Sequence, residues 1–186
     1  MLVSGTAPGS AMSDYSIAAR LENFLAVADR RSTQLSVGQL LEEVLDRLRE
    51  ILDADTAAVL LHEEGSDYLV ARAGRGLEEE VRQGVRIPIG AGFAGRIAGT
   101  RQPVRIRRVD SSTVANPILW EKGIQRMLGV PLLSGGDLLG VLHVGRLASR
   151  DFDADDEVLL QLAAGRVSAA MQAHRYAAEA AAADLL

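Results

Sequence analysis

Two apolar runs, Arg126 to Leu133 and Leu138 to Arg146, flank Ser134-Gly135-Gly136-Asp137, and no other stretch restricts the fold as tightly. Extended runs of this kind around a Gly-rich turn predict an antiparallel hairpin, here with a turn read as four residues long. A second hairpin is predicted from Thr56 to Leu61 and Tyr68 to Ala73, joined across Glu63 to Asp67. Val85 to Ile89 and Val104 to Ile106 add two brief strands, so the sheet has about six.

Helical periodicity surrounds these strands. Ile17, Leu21, Phe24, Leu25 and Ala28 recur at helical spacing. Ser36 with Gln39 is a capping-box pattern, and Leu40, Leu41, Val44, Leu45, Leu48, Ile51 and Leu52 then form one apolar face. Asp53 and Asp55 mark its end. Leu77 to Gln83 reads as one or two helical turns and Phe93 to Ala98 as a short helix. Arg107 to Gln125 is the least regular stretch, with Asn116-Pro117 breaking any helix before it. Asp153 can cap a closing helix whose first turn holds Asp155, Asp156 and Glu157, where the helix dipole favours acids. Run to Leu186, it would be about 33 residues or roughly 50 Å long. Leu159, Leu162, Ala169 and Ala173 give it one apolar face, and Leu160, Ala163, Val167 and Met171 another. A helix apolar on two sides packs on its own domain and on a partner, which predicts a homodimer through the terminal helices. The order of elements describes an α+β domain with an antiparallel sheet.

Composition narrows the function. The chain has 186 residues, is 48% hydrophobic and carries a net charge of −5. That is one domain with an acidic balance, which argues against nucleic acid. Arg105, Arg107 and Arg108 form a local basic group, read as a solvated strand end. No cysteine is present, which removes disulfides, thiolate metal sites, thiol catalysis and thioether attachment of a bilin. It suits a cytoplasmic protein. No apolar run approaches the roughly 18 residues of a membrane span. Residues 1–14 are read as a disordered leader.

Several blocks carry a family resemblance: IPIGAGFAGRIAGTRQPV from Ile87, LGVPL from Leu128, GVLHV from Gly140, and FDADDE from Phe152 followed by LLQLA from Leu159. In this order and spacing the chain resembles the GAF family over roughly Val37 to Tyr176. The resemblance implies a central antiparallel sheet with the first and last helices packed on one face. On the other face, short helices and the irregular loop would cover a small-molecule pocket. The sensory domain is placed at 15–176, with helices in 17–52, sheet core in 56–146 and the closing helix from 153. Residues 177–186 are read as a helical linker. The ending from Tyr176 to Leu186 is similar to the linker before the catalytic domain of bacterial serine/threonine phosphatases that regulate sigma factors. A sensor histidine kinase and an unattached GAF protein are the alternatives.

The pocket residues implied are Phe93, Ile97, Ile118, Leu119, Trp120, Glu121, Met127 and His143. Trp120 is expected over the pocket, since it is the only tryptophan and lies in the least regular segment. Haem-binding relatives place an axial His where this chain has Glu121, and a carboxylate is a poor substitute. His62, His143 and His174 lack metal-ligand spacing, which speaks against zinc. His143 is read as a structural, hydrogen-bonded residue rather than a ligand.

Gly90-Ala-Gly-Phe-Ala-Gly95 spells a dinucleotide fingerprint, but the helix after it is too short for a parallel crossover. Its glycines are better explained by a tight turn and close backbone approach at the pocket rim. Phe152, Asp156 and Glu157 match half the signature of cyclic-nucleotide-binding relatives. The other half, an Asn-Lys pair, is Gly145-Arg146 here. Arg146 is expected to pair with Asp156 and brace the last strand against the last helix; if half exposed, the pair contributes about 1 kcal/mol or less. No catalytic constellation is found. The methionine-sulfoxide-reducing relatives need cysteines that are missing here. The expectation is a small-molecule- or partner-responsive sensory domain in bacterial signal transduction, controlling an output such as a phosphatase. The alternatives are a ligand-free structural dimerisation module and, less favoured, cyclic-nucleotide binding.

Overall fold

The computed structural model describes residues 36–183. The leader, the helix expected from Ile17 to Ala28 and the last three residues lie outside that range.

Helix α1 (Val37–Leu52) opens on the expected capping box: the Ser36 hydroxyl accepts from the Gln39 N–H while the Gln39 side chain accepts from the Ser36 N–H. Leu40, Leu41, Val44, Leu45, Leu48 and Leu52 are buried along one face. Asp53 then takes a left-handed conformation that ends the helix. Strands β1 (Thr56–His62) and β2 (Tyr68–Arg75) form the first hairpin. Helix α2 (Glu78–Gln83), strand β3 (Arg86–Pro88), helix α3 (Gly92–Thr100) and strand β4 (Val104–Ile106) follow.

Next comes a helix the sequence did not announce, α4 (Pro117–Glu121). Asn116-Pro117, read above only as a breaker, is its opening. The Asn116 side chain accepts from the Ile118 N–H at 3.1 Å, and Pro117 fills the first position, where no N–H is needed.

Strands β5 (Arg126–Ser134) and β6 (Asp137–Arg146) make the main hairpin. Its turn is tighter than four residues. Ser134 pairs with Asp137, leaving Gly135 and Gly136 as a two-residue loop with φ of 56° and 90°. Positive φ at both central residues is the geometry that follows strand twist, and glycine adopts it without steric cost. Helix α5 (Ala154–Ala183) closes the domain. Asp153 and Asp156 cap it reciprocally, each carboxylate accepting from the other's backbone N–H at 2.9 and 3.2 Å.

The six strands form one antiparallel sheet in the order β3-β2-β1-β6-β5-β4. Alternation along β1 divides its side chains between two cores. Ala57 and Val59 join the core under α1 and α5, while Ala58 and Leu60 join the core under α2, α3 and α4. Both faces of the sheet are therefore covered, with α1 and α5 in contact on one of them. Among the described residues, no helix is long and apolar enough to cross a membrane.

Candidate functional site

Helix α2 begins with three consecutive acids, a composition its positive N-terminal end favours. Glu78 accepts from the Gly76 N–H at 2.9 Å, and Glu79 pairs with Arg82 and accepts from Gln83. Glu80 turns inward instead. It follows Leu77 by three residues and precedes Val81, so it shares the helix face that packs on the sheet. Only 2% of it is exposed. The Asn116 side-chain amide donates to Glu80 Oε1. Asn116 thus caps α4 with its oxygen and holds α2 with its nitrogen, fixing the irregular loop against the domain.

Glu80 Oε2 has no hydrogen-bond partner, and neither has Nδ1 of His143, which is 98% buried on β6. Both residues line one cavity together with Asn116. Its apolar wall comes from Leu60 on β1, Ile87 on β3, Phe93 and Ala94 on α3, and Val114 and Leu119 in the loop and α4. The Phe93 and His143 rings meet edge to face with centroids 5.9 Å apart. The volume is about 10 Å³, room for about one water.

Burial controls the charges. It pushes the Glu80 carboxyl from its usual 4.5 up to about 7, against smaller opposing effects of the Asn116 bond and the Lys122 charge. Burial also lowers His143 from 6.5 to about 4, so its imidazole is neutral at physiological pH. The cavity therefore offers hydrogen-bonding atoms in an apolar shell, suited to binding a small polar group.

Of the glycine motif, Phe93 and Ala94 reach the cavity wall, while Gly90 and Gly92 line a separate surface pocket and serve close packing. A Cβ on Gly92 would lie 2.5 Å from the Ala115 nitrogen, and one on Gly95 2.2 Å from the Pro88 carbonyl oxygen. Bare backbone lets α3 dock against both chain segments.

Of the residues expected in the pocket, Phe93, Leu119 and His143 stand on the cavity wall. Ile97 and Met127 are buried in the same core, and Ile118 and Trp120 are half-buried against it. Glu121, expected to face inward, is exposed. Leu119 takes the inward side of α4, and leaving Glu121 in water avoids the cost of desolvating a second carboxylate. Leu60, Glu80, Ile87, Ala94, Val114 and Ala115 stand on the wall outside the expected set, and so does Asn116, which the sequence presents as a breaker. The signal for Glu80 was its place on the Leu77–Val81 stripe.

On the opposite face, Arg146 and Asp156 pair at 3.2 Å, buried rather than half exposed. The guanidinium also donates to the carbonyls of Leu52, Asp53 and Asp151 and lies 3.8 Å from the Phe152 ring centroid. It joins the end of α1, the end of β6 and the start of α5. Arg105, Arg107 and Arg108 pair with Glu157, Asp151 and Asp110, as a solvated strand end would. Among the described residues, no group of three or more His, Asp or Glu is placed to hold a metal ion.

An antiparallel sheet with α1 and α5 on one face and short helices and a loop over a small cavity on the other defines an α+β class of domain. Residues 34–172 match the family model described as GAF domain, and the chain belongs to that family. Among curated protein sequences, none is significantly similar. The chain is similar to the GAF domain of a phosphoenolpyruvate-protein phosphotransferase from Coxiella burnetii, with 25% identity and a TM-score of 0.76 over 92% of this chain and 99% of that one. It is also similar to free methionine-R-sulfoxide reductase from Neisseria meningitidis, solved with its substrate, at 22% identity and a TM-score of 0.71, covering 95% and 98%. A third likeness is to the A. aeolicus nlh2 GAF domain in an inactive state, at 14% identity and a TM-score of 0.69, covering 85% and 99%.

Proposed function

We propose that this domain is a non-catalytic sensor of bacterial signal transduction that reads a small molecule under α4 and transmits its state through α5 to an output, of which a phosphatase is one candidate. The observation that carries this is the small, partly open cavity with two buried polar atoms left without partners, which native interiors rarely tolerate. Among structures that share the fold, one was solved in complex with its substrate and another in an inactive state, which supports binding in the one case and switching in the other. The absence of cysteine sets this chain apart from thiol chemistry and favours binding without turnover.

A cavity of about 10 Å³ is too small for a metabolite unless α4 moves, which favours the competing reading of a ligand-free dimerisation module. Trp120 decides between them. It is the only tryptophan, it lies on α4, and it is half-buried, so displacement of α4 changes its surroundings. Native mass spectrometry of the purified chain is expected to show a retained small molecule, and its release to shift tryptophan emission. A bare mass, with emission unresponsive to fractionated cell extract, would support the structural module instead.

A further inference from the structure

Among the described residues two carboxylates are buried, Glu80 and Asp156, one on each side of the sheet, and their surroundings differ. Asp156 carries its own cation, the Arg146 guanidinium at 3.2 Å. Glu80 has an amide on one oxygen and nothing on the other. Lys122, the one cation found to act on it, commits its ammonium to the Gly76 carbonyl at 2.7 Å. A buried carboxylate ordinarily acquires a charged or multiply donating partner. If a water were the intended occupant of the cavity, a glutamine at this position would hold it without the cost of burying a charge.

We propose that the cavity recognises the protonated nitrogen head of a small cationic ligand, of the ammonium or amidinium class, with Glu80 as its counter-charge. Glu80 Oε2 accepts one N–H of the head. His143 Nδ1 accepts another when the ring proton sits on Nε2, and the apolar wall holds the remainder. The present volume fits one water-sized group, and an ammonium head is of that size. Larger ligands enter as α4 shifts. The same carboxylate repels carboxylate and phosphate ligands. Ion pairing would draw Glu80 back toward its usual acidity, so binding also removes the cost of its burial.

This inference rests on the small-molecule reading above, and one probe series separates the two. Acetamidinium, acetamide and acetate share a shape and differ in charge. Each is titrated into the purified chain while NMR follows the His143 ring nitrogens and the Asn116 side-chain amide. Acetamidinium is expected to shift both signals and to bind at least about tenfold more tightly than acetamide, with acetate weakest. Glu80→Gln should weaken acetamidinium about tenfold or more and leave acetamide within about twofold. Comparison of the three probes on the unaltered protein decides the matter even if that variant fails to fold. Acetamide or acetate binding as tightly as acetamidinium overturns the cationic ligand and leaves the pocket reading standing. Silence from all three up to about 0.1 M overturns the cationic ligand, while the retained mass and the tryptophan response decide the pocket reading separately.

Discussion

Glu80 and His143 occupy one cavity but respond to pH in opposite senses. Glu80 has a folded-state pKa of about 7 against 4.5 when unfolded, so the folded state holds the proton more tightly. Its contribution is favourable below about 4.5 and is lost as pH rises toward 7, on the order of 3 kcal/mol. His143 is lowered from 6.5 to about 4, so its contribution is present above 6.5 and lost as pH falls toward 4, by a similar amount. Between 4.5 and 6.5 the two slopes offset each other. Urea midpoints measured against pH should therefore separate in the single variants. Glu80→Gln should gain stability over the parent progressively from pH 4.5 to 7, and His143→Gln progressively from 6.5 down to 4. Variant-minus-parent differences that stay level with pH would show that neither group is buried as described. At this scale the sequence was legible where a residue's type agreed with its surroundings. Phe93 and Leu119 are apolar and inward, and a period test finds such residues. Glu80 is a polar residue on an apolar stripe, and a period test discards it as a solvated acid.

Helix α4 shows how punctuation can be misread at the level of an element. Asn-Pro forbids a helix before it, and the same pair is a strong helix opening, the asparagine as cap and the proline as first residue. Five residues with one buried side chain, Leu119, carry no periodicity to settle which applies. Asn116 serves both α4 and Glu80, so its removal should cost more than a cap. Asn116→Ala is expected to destabilise by about 2–3 kcal/mol, the loss of a cap plus an unsatisfied buried carboxylate oxygen. Asn116→Ser retains the capping oxygen and should recover about 1 kcal/mol of that. Chemical denaturation checks both, and equal losses would mean the cap is not what holds α4. The Arg146–Asp156 pair was legible from local spacing, because strand end and helix start are close in sequence. Its carbonyl partners Leu52 and Asp53 were not, since only the sheet order brings the end of α1 beside β6.

For the whole molecule, the sheet and its two covered faces followed from the apolar runs and the family resemblance, but among the described residues nothing covers the outward side of α5. Leu159, grouped above with Leu162, Ala169 and Ala173, is in the core; Leu162, Ala169 and Ala173 are exposed. With Val158 and Tyr176 they form a stripe at helical spacing, and Val158, Leu162 and Tyr176 are 46%, 43% and 64% exposed. From Met171 to Ala183 no residue of α5 is fully buried, and an alanine-rich stretch of that length is marginal as a lone helix in water. A parallel second copy of α5 would cover the stripe and prolong the helix, placing two outputs side by side, where a shift of α5 on the sheet alters their spacing. Analytical ultracentrifugation is expected to show a dimer that dissociates on dilution. Val158→Glu and Leu162→Glu should each weaken it at least about tenfold, since a buried, unpaired carboxylate opposes closure of the interface. Both positions are outside the core, so circular dichroism per residue should change only through fraying beyond Met171. A parent chain that sediments as a monomer at every concentration would remove the dimer, and with it transmission through paired α5 helices.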